Sequence, residues 1–265
     1  MRKTANPRKK PAPAGPSPIE LFSTSSGVRA VQSPPHTEIL NLLRSRELPF
    51  DEIVRLSGKA KSTVSVHLKT MEEEGIVGSK GDPGDSRRKI FFIRSPCVGN
   101  LSQGLALQDE DAGEPVAGGD PFAFYRYMFR TIRVSLLSEG INIDPVLQNA
   151  GYRVGQHLYP DIADADIAGL LVNLQKFWTE SNLGTIEVES LSPLVIRVYD
   201  CFECGDLPEL GRPACAFDAG ILRAVFSRHF AADCSVEETT CYAMGSDHCR
   251  FLIAPKESEQ AVTEK

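Results

Sequence analysis

The amino-acid sequence predicts an α+β protein built of two unlike domains, and three observations carry that reading. The 265 residues exceed one ordinary domain and suit two, at roughly 100 to 200 residues each. The net charge of -6 divides unevenly: through Arg94 there are 17 Lys and Arg against 10 Asp and Glu, a balance of +7, and beyond it 12 against 25, a balance of -13. Six of the seven cysteines, Cys201, Cys204, Cys215, Cys234, Cys241 and Cys249, crowd the last third, with Cys97 outside it. Hydrophobic residues at 42% and charged residues at 24% are ordinary globular usage, which excludes wholesale disorder and collagen-like repeats. No apolar run approaches the roughly 18 residues of a membrane span, and no apolar core follows the basic N-terminal stretch as in a signal peptide. The expectation is a cytoplasmic protein with no membrane partner. Its cysteines then serve as ligands, redox groups or buried thiols rather than structural disulfides.

Residues 1–33 combine Arg2, Lys3, Arg8, Lys9 and Lys10 with Pro11, Pro13, Pro16 and Pro18 and show no apolar periodicity, which predicts a disordered basic Pro-rich arm. Residues 34–95 change to helical spacing. Ile39, Leu40, Leu42 and Leu43 make the buried face of a first helix, and Phe50, Ile53, Val54 and Leu56 that of a second, stopped by Gly58. A third opens at Lys61-Ser62-Thr63, carries Val64, Leu68 and Met71 on one stripe, and has Gly75 just past its end. Ile76 and Val77, a turn at Gly81-Asp82-Pro83-Gly84 and residues 88–93 make a hairpin. Three helices and a hairpin form a winged helix-turn-helix layout. Residues 96–120 mix Gly99, Gly104, Gly113, Gly118 and Gly119 with acidic residues and predict a linker, in which Leu101, Leu105 and Leu107 permit a short helix. Residues 121–255 read as three helices (from Phe122, over 145–159, and over 167–179), strands over 185–190 and 194–200, a helix over 219–230, and strands over 236–243 and 250–253. Residues 256–265 are a tail.

In a winged helix-turn-helix the third helix enters the major groove of DNA with its polar face while its other face stays in the core. Lys59, Lys61, Ser62, Thr63, Ser65 and Lys69 are the candidates for that polar face, and Arg87, Arg88 and Lys89 in the wing suit phosphate or minor-groove contacts. Ser62 or Thr63 also offers an N-cap. His67 reads as a packing residue. The run Lys61-Ser62-Thr63-Val64-Ser65-Val66-His67-Leu68-Lys69, with Glu74-Gly75-Ile76-Val77 and Arg87-Arg88-Lys89-Ile90, resembles the ArsR-type winged helix of prokaryotic and archaeal regulators over residues 36–95. The cysteine pair that metal-sensing members carry near the recognition helix is absent. The resemblance implies a homodimer that reads a double-stranded DNA operator, with sensing placed elsewhere.

In the acidic half, Cys215, Glu238, Cys241 and Cys249 are separated by 22, 2 and 7 residues. Three thiolates and a carboxylate would complete a closed, tetrahedral, structural zinc site. Positions 238 and 241 of a regular strand point to opposite faces, so this set requires a bulge or a strand end, and Gly245 and Asp247 suit the turn that returns Cys249. Cys201-Phe202-Glu203-Cys204 stands apart as a CxxC. A redox pair with an accessible low-pKa thiol, further metal ligands, or ordinary partly buried thiols all remain open readings of it. Cys97 and Cys234 carry no assignable role.

Cys215-x-Phe217-x-x-Gly220, Glu238-x-x-Cys241, Gly245 and Cys249-x-Phe251 resemble the 4-vinyl-reductase-type domain, a small-molecule-binding α+β fold also found in hydrocarbon-responsive activators, over most of residues 121–255. Zinc occupies the four corresponding positions in those activators, which implies Zn2+, ahead of iron, at Cys215, Glu238, Cys241 and Cys249. Joined to the winged helix, the whole chain resembles the MsvR family of redox-responsive methanogen regulators. That resemblance implies a redox-sensing transcription regulator with Cys201 and Cys204 as its redox pair. The alternative is control by a small apolar effector, with Phe122, Phe124, Tyr125, Tyr152, Phe177 and Trp178 lining its cavity. No nucleotide-binding glycine motif and no nucleophile–base arrangement occurs, so no enzyme is expected.

Overall fold

A computed structural model of the chain describes residues 18–85, 87–105 and 121–256. They divide into two compact units, the first running to Pro96 with Asn100–Ser102, the second made of Cys97–Gly99 and the chain from Gln103. The first unit opens with an antiparallel hairpin, β1 (Ile19–Thr24) and β2 (Gly27–Val31), in which Glu20 faces Val31 and Thr24 faces Gly27. This corrects the expectation of a disordered arm over 1–33: residues 1–17 lie outside the described residues, and 19–31 are strands. Phe22 and Val31 are buried, and Glu20 pairs with Arg44, which ties the hairpin to the helix that follows.

That helix, α1 (Pro34–Ser45), leads through β3 (Leu48–Pro49) and α2 (Phe50–Ser57) to α3 (Lys61–Glu73), β4 (Val77–Gly81) and β5 (Lys89–Ile93). Ile39, Leu40 and Leu43 of α1, Ile53 of α2, and Val64, Leu68 and Met71 of α3 form the core, as the helical spacing requires. Gly58 and Gly75 end α2 and α3 in the left-handed region, at φ of +63° and +76°. The strands order as β3-β5-β4, so the wing hairpin gains a short third strand from Leu48 and Pro49.

β6 (Cys97–Leu101) lies at the division between the units, where a linker was expected; residues 106–120, with Leu107, lie outside the described residues. The second unit continues with α4 (Pro121–Ser138), β7 (Ile141–Asn142), α5 (Asp144–Ile162), α6 (Ile167–Glu180), β8 (Thr185–Leu191) and β9 (Leu194–Tyr199). It closes with α7 (Ala216–His229), β10 (Cys234–Thr240), a 3-10 turn (Tyr242–Met244) and β11 (Cys249–Pro255). Its long strands form an antiparallel sheet in the order β10-β11-β9-β8. Ile196, Val198, Phe251 and Ile253 of the sheet share a core with Leu222, Val225 and Phe226 of α7 and Leu170, Leu174 and Trp178 of α6. The tail reading of 256–265 loses its first residue, because Lys256 pairs with Asp233; the rest lies outside the described residues. Among the described residues, no helix is long and apolar enough to cross a membrane.

α5 and α7 approach backbone to backbone. A Cβ added at Gly151 would stand 2.0 Å from the Phe217 carbonyl oxygen, one at Gly155 2.5 Å from that of Ile221, and one at Gly220 2.2 Å from that of Gln148. Interior helical glycine costs roughly 0.5–1 kcal/mol relative to alanine, so these three serve the close approach that sets where α7 begins. Gly155→Ala should therefore destabilise the unit by about 1–3 kcal/mol, read as a lower urea midpoint. Gly81→Ala, where an added Cβ meets nothing within 4 Å, should stay within about 0.5 kcal/mol of the parent.

Candidate metal centre and candidate nucleic-acid interface

The ends of three strands and the start of one helix converge in the second unit. β9 stops at Tyr199, and Asp200, at φ of +51°, turns the chain into Cys201-Phe202-Glu203-Cys204. Cys215 is the residue before the first turn of α7. β10 changes register between Glu238 and Thr240 and ends there, so Glu238 and Cys241 reach one side, the irregularity that their spacing demands. The 3-10 turn, closed by Gly245 at φ of +80°, returns the chain to Cys249, which pairs with Val198 at the end of β9.

Five thiols therefore meet in one place, each at most 1% exposed. Sγ–Sγ separations are 3.5 Å for Cys215–Cys249, 3.9 Å for Cys215–Cys241, 3.9 Å for Cys241–Cys249, 3.6 Å for Cys201–Cys215 and 3.1 Å for Cys204–Cys249. A tetrahedral ion with metal–sulfur bonds of about 2.3 Å has sulfur–sulfur edges of about 3.8 Å, so the cluster fits a thiolate-bound metal. Two four-residue groups have all their donor atoms within 4.8 Å of one another: Cys215, Glu238, Cys241 and Cys249, and also Cys201, Cys204, Cys215 and Cys249. The expectation that the CxxC stands apart with an accessible thiol is corrected: Cys201 and Cys204 are buried inside the same cluster.

Glu203 explains why. Its carboxylate accepts hydrogen bonds from the Phe217 and Asp218 amides, both at 3.0 Å, and so caps the first turn of α7 from between the two cysteines. The buried Arg133 guanidinium of α4 donates to Glu203 Oε1, to the Ala214 carbonyl and to Asp144 Oδ1, at 3.3, 2.7 and 3.0 Å. Arg126 donates to the carbonyls of Asp200 and Cys201, and Phe129 stacks on Phe202, so α4 clamps the CxxC loop from outside. Glu203, Asp218 and Arg133 were not singled out from the sequence. The one available signal for Glu203 was a carboxylate between two cysteines.

Negative charge is crowded and desolvated here. Burial, with the Cys241 thiolate adding to it, pushes the Glu238 carboxyl up to about 9. Burial raises Glu203 to about 8 against the pull of Arg133, and raises Asp218 together with the charges of Cys201 and Glu203. Hydrogen bonds from Cys204, Cys215 and Cys249 lower Cys201, whereas burial raises Cys215. Glu238 Oε2 accepts from the Cys215 amide at 2.9 Å, while its buried Oε1 has no partner among the described residues. A cation is the counter-charge that lets such donors ionise together, and Glu238 Oε1 is an acceptor still to be satisfied. Cys234 is buried apart from the cluster with its thiol raised by burial, and Cys97 is half-buried in β6.

In the first unit, Lys61, Ser62, Thr63, Ser65 and Lys69 lie exposed on α3, opposite its buried stripe. Lys59 does not join them: it is half-buried and pairs with Glu38 at 2.7 Å. Ala60 is the N-cap of α3, so Ser62 and Thr63 sit within the first turn and neither caps it. Arg87, Arg88 and Lys89 are exposed in the wing and, with Ser65 and Lys69, border a groove of about 610 Å³. His67 packs edge-on against His36 at 4.8 Å. The six aromatics expected to line an effector cavity are not gathered: Phe122, Phe124 and Tyr125 are 49–54% exposed on α4, and Trp178 is fully buried in the core.

The arsR-family model of bacterial regulatory proteins matches residues 34–79, which contain α3, and the vinyl-4-reductase domain model matches residues 194–255, which contain the whole thiol cluster. The uncharacterized protein MJ1642 of Methanocaldococcus jannaschii is 34% identical over 135 residues, 50% of this chain and 80% of that protein. MJ0745 of the same organism is 33% identical over 128 residues, 48% of this chain and 66% of that protein. A solved vinyl-4-reductase family structure from M. jannaschii, at 20% identity and a TM-score of 0.38, covers 54% of this chain and 85% of its own. By its identity to MJ1642 over most of that protein's length, the chain belongs to the MJ1642 family, with a vinyl-4-reductase domain carried alongside an arsR-family helix-turn-helix.

Proposed function

We propose that this protein is a redox-sensing DNA-binding transcription regulator of the MsvR kind. It reads a double-stranded operator as a homodimer through α3 and the β4–β5 wing, and thiol chemistry in the C-terminal domain sets its affinity. One observation carries the reading: Cys201 and Cys204 touch Cys215 and Cys249, so a disulfide between the first two withdraws two sulfurs from the cluster that can hold a metal. Zinc suits a donor set of thiolates and one carboxylate in tetrahedral array, with Cys215, Glu238, Cys241 and Cys249 as its holders. The ion supplies a redox-inert cross-link among strand ends and α7.

The protein's own residues govern the thiols. Glu203 pins the CxxC loop to α7, Arg133 balances that carboxylate, and Arg126 and Phe129 hold the loop closed. Since both thiols are buried, this loop must open before an oxidant enters. Hydrogen peroxide then takes two electrons and two protons from the pair, one sulfur–sulfur bond forms, and the oxygen–oxygen bond breaks to give two waters. A second copy of the chain is the partner for α4, whose Tyr125, Met128 and Ile132 form an exposed stripe at spacings of three and four residues.

Two outcomes are expected. In DNA-shift titrations, reduced and peroxide-treated protein should differ in operator affinity by about tenfold or more, some 1.4 kcal/mol. Cys201→Ala and Cys204→Ala should abolish the difference; equal affinity of the reduced and oxidised parent contradicts the redox reading. Separately, Lys69→Ala and Arg88→Ala should weaken binding to all sequences alike. Each should flatten the dependence of log K on log salt by about 0.9 for every phosphate the variant no longer neutralises.

A further inference from the structure

We propose a second metal position: Cys201, Cys204, Cys215 and Cys249 form a four-thiolate site that shares Cys215 and Cys249 with the Cys215, Glu238, Cys241 and Cys249 site. The six side chains together hold two thiophilic dications bridged by two thiolates. The proposal rests on the reading of the cluster as a metal site and adds to it.

The two donor groups overlap in two residues, Cys215 and Cys249, whose sulfurs lie 3.5 Å apart. The remaining donors fall into pairs, Cys201 with Cys204 on one side and Cys241 with Glu238 on the other. Each ion then has two bridging and two terminal donors, with none left over. With an ion in the Glu238 site alone, Cys204 Sγ stands 3.1 Å from a ligand sulfur and Cys201 Sγ 3.6 Å from another, both without solvent contact. Such crowding fits two thiolates drawn to a common cation better than two spectator thiols. The charge balance permits it. One dication on three thiolates and a carboxylate leaves a formal charge of about -2, and a second dication arriving as Cys201 and Cys204 each release a proton leaves that total unchanged. The N-terminus of α7, at Cys215, faces this charge with its positive end.

The test uses the full chain, purified anaerobically, stripped of metal and reloaded with zinc or with cadmium-113. Two zinc ions per chain and two cadmium resonances of thiolate-rich character are expected, with all five cluster cysteines shielded from alkylation. The double variant Cys201→Ser, Cys204→Ser should drop to one ion and one resonance. If it does not fold, the stoichiometry of the parent decides alone. One ion per chain, with Cys201 and Cys204 open to alkylation, overturns the second position and leaves the first standing. No bound ion overturns both. Iron recovered with acid-labile sulfide also overturns the proposal, since inorganic sulfide would then be the bridge in place of Cys215 and Cys249.

Discussion

The Glu203 carboxylate accepting the first free amides of α7 is the contact on which the second unit's chemistry turns. It lies between Cys201 and Cys204, so fixing Glu203 on the helix fixes both sulfurs against Cys215, the residue before that helix. A buried carboxylate is costly without partners, and this one has a cap on one side and a buried guanidinium on the other. α7 itself is located by its glycine-mediated approach to α5, and Cys249 by its pairing with β9. Four separate segments thus deliver sulfur to one point because each is anchored by backbone geometry and not by the sulfurs themselves.

That independence has a functional consequence. The buried core of the second unit includes aliphatic and aromatic side chains from the sheet, α6 and α7, so burial of apolar surface can hold the domain without help from a metal. Thiol chemistry can then change the cluster without dissolving the fold, which is what a sensor requires. The first unit makes the complementary arrangement, with a buried aliphatic core beneath a polar face on α3 and a basic wing. The two charge balances, +7 and -13, belong to these two tasks.

Periodicity made the winged helix legible, because Val64, Leu68 and Met71 repeat at the spacing of one helical face and glycines mark the stops. The need for a bulge near Glu238 was legible too, since two donors three residues apart cannot share a face of a regular strand. The hairpin at 19–31 was obscured by its Pro-rich, basic surroundings and by having two buried apolar side chains, Phe22 and Val31, in place of a continuous pattern. The place of the CxxC was not legible at all. It depends on the end of β9 lying beside the start of β11 and on a long-range carboxylate cap, neither of which leaves a local signature. The same holds for Lys59, whose pairing with Glu38 of α1 takes it off the polar face, and for Arg133, which bridges segments some 70 residues apart.

The central claim is that the five buried cysteines and Glu238 act as one metal-holding unit. X-ray absorption at the metal edge of anaerobically purified, full-length protein tests it most directly. The account predicts a first shell dominated by sulfur at about 2.3 Å with a minority of oxygen. A shell of nitrogen and oxygen alone, or metal-free protein with seven equally reactive thiols, would contradict it.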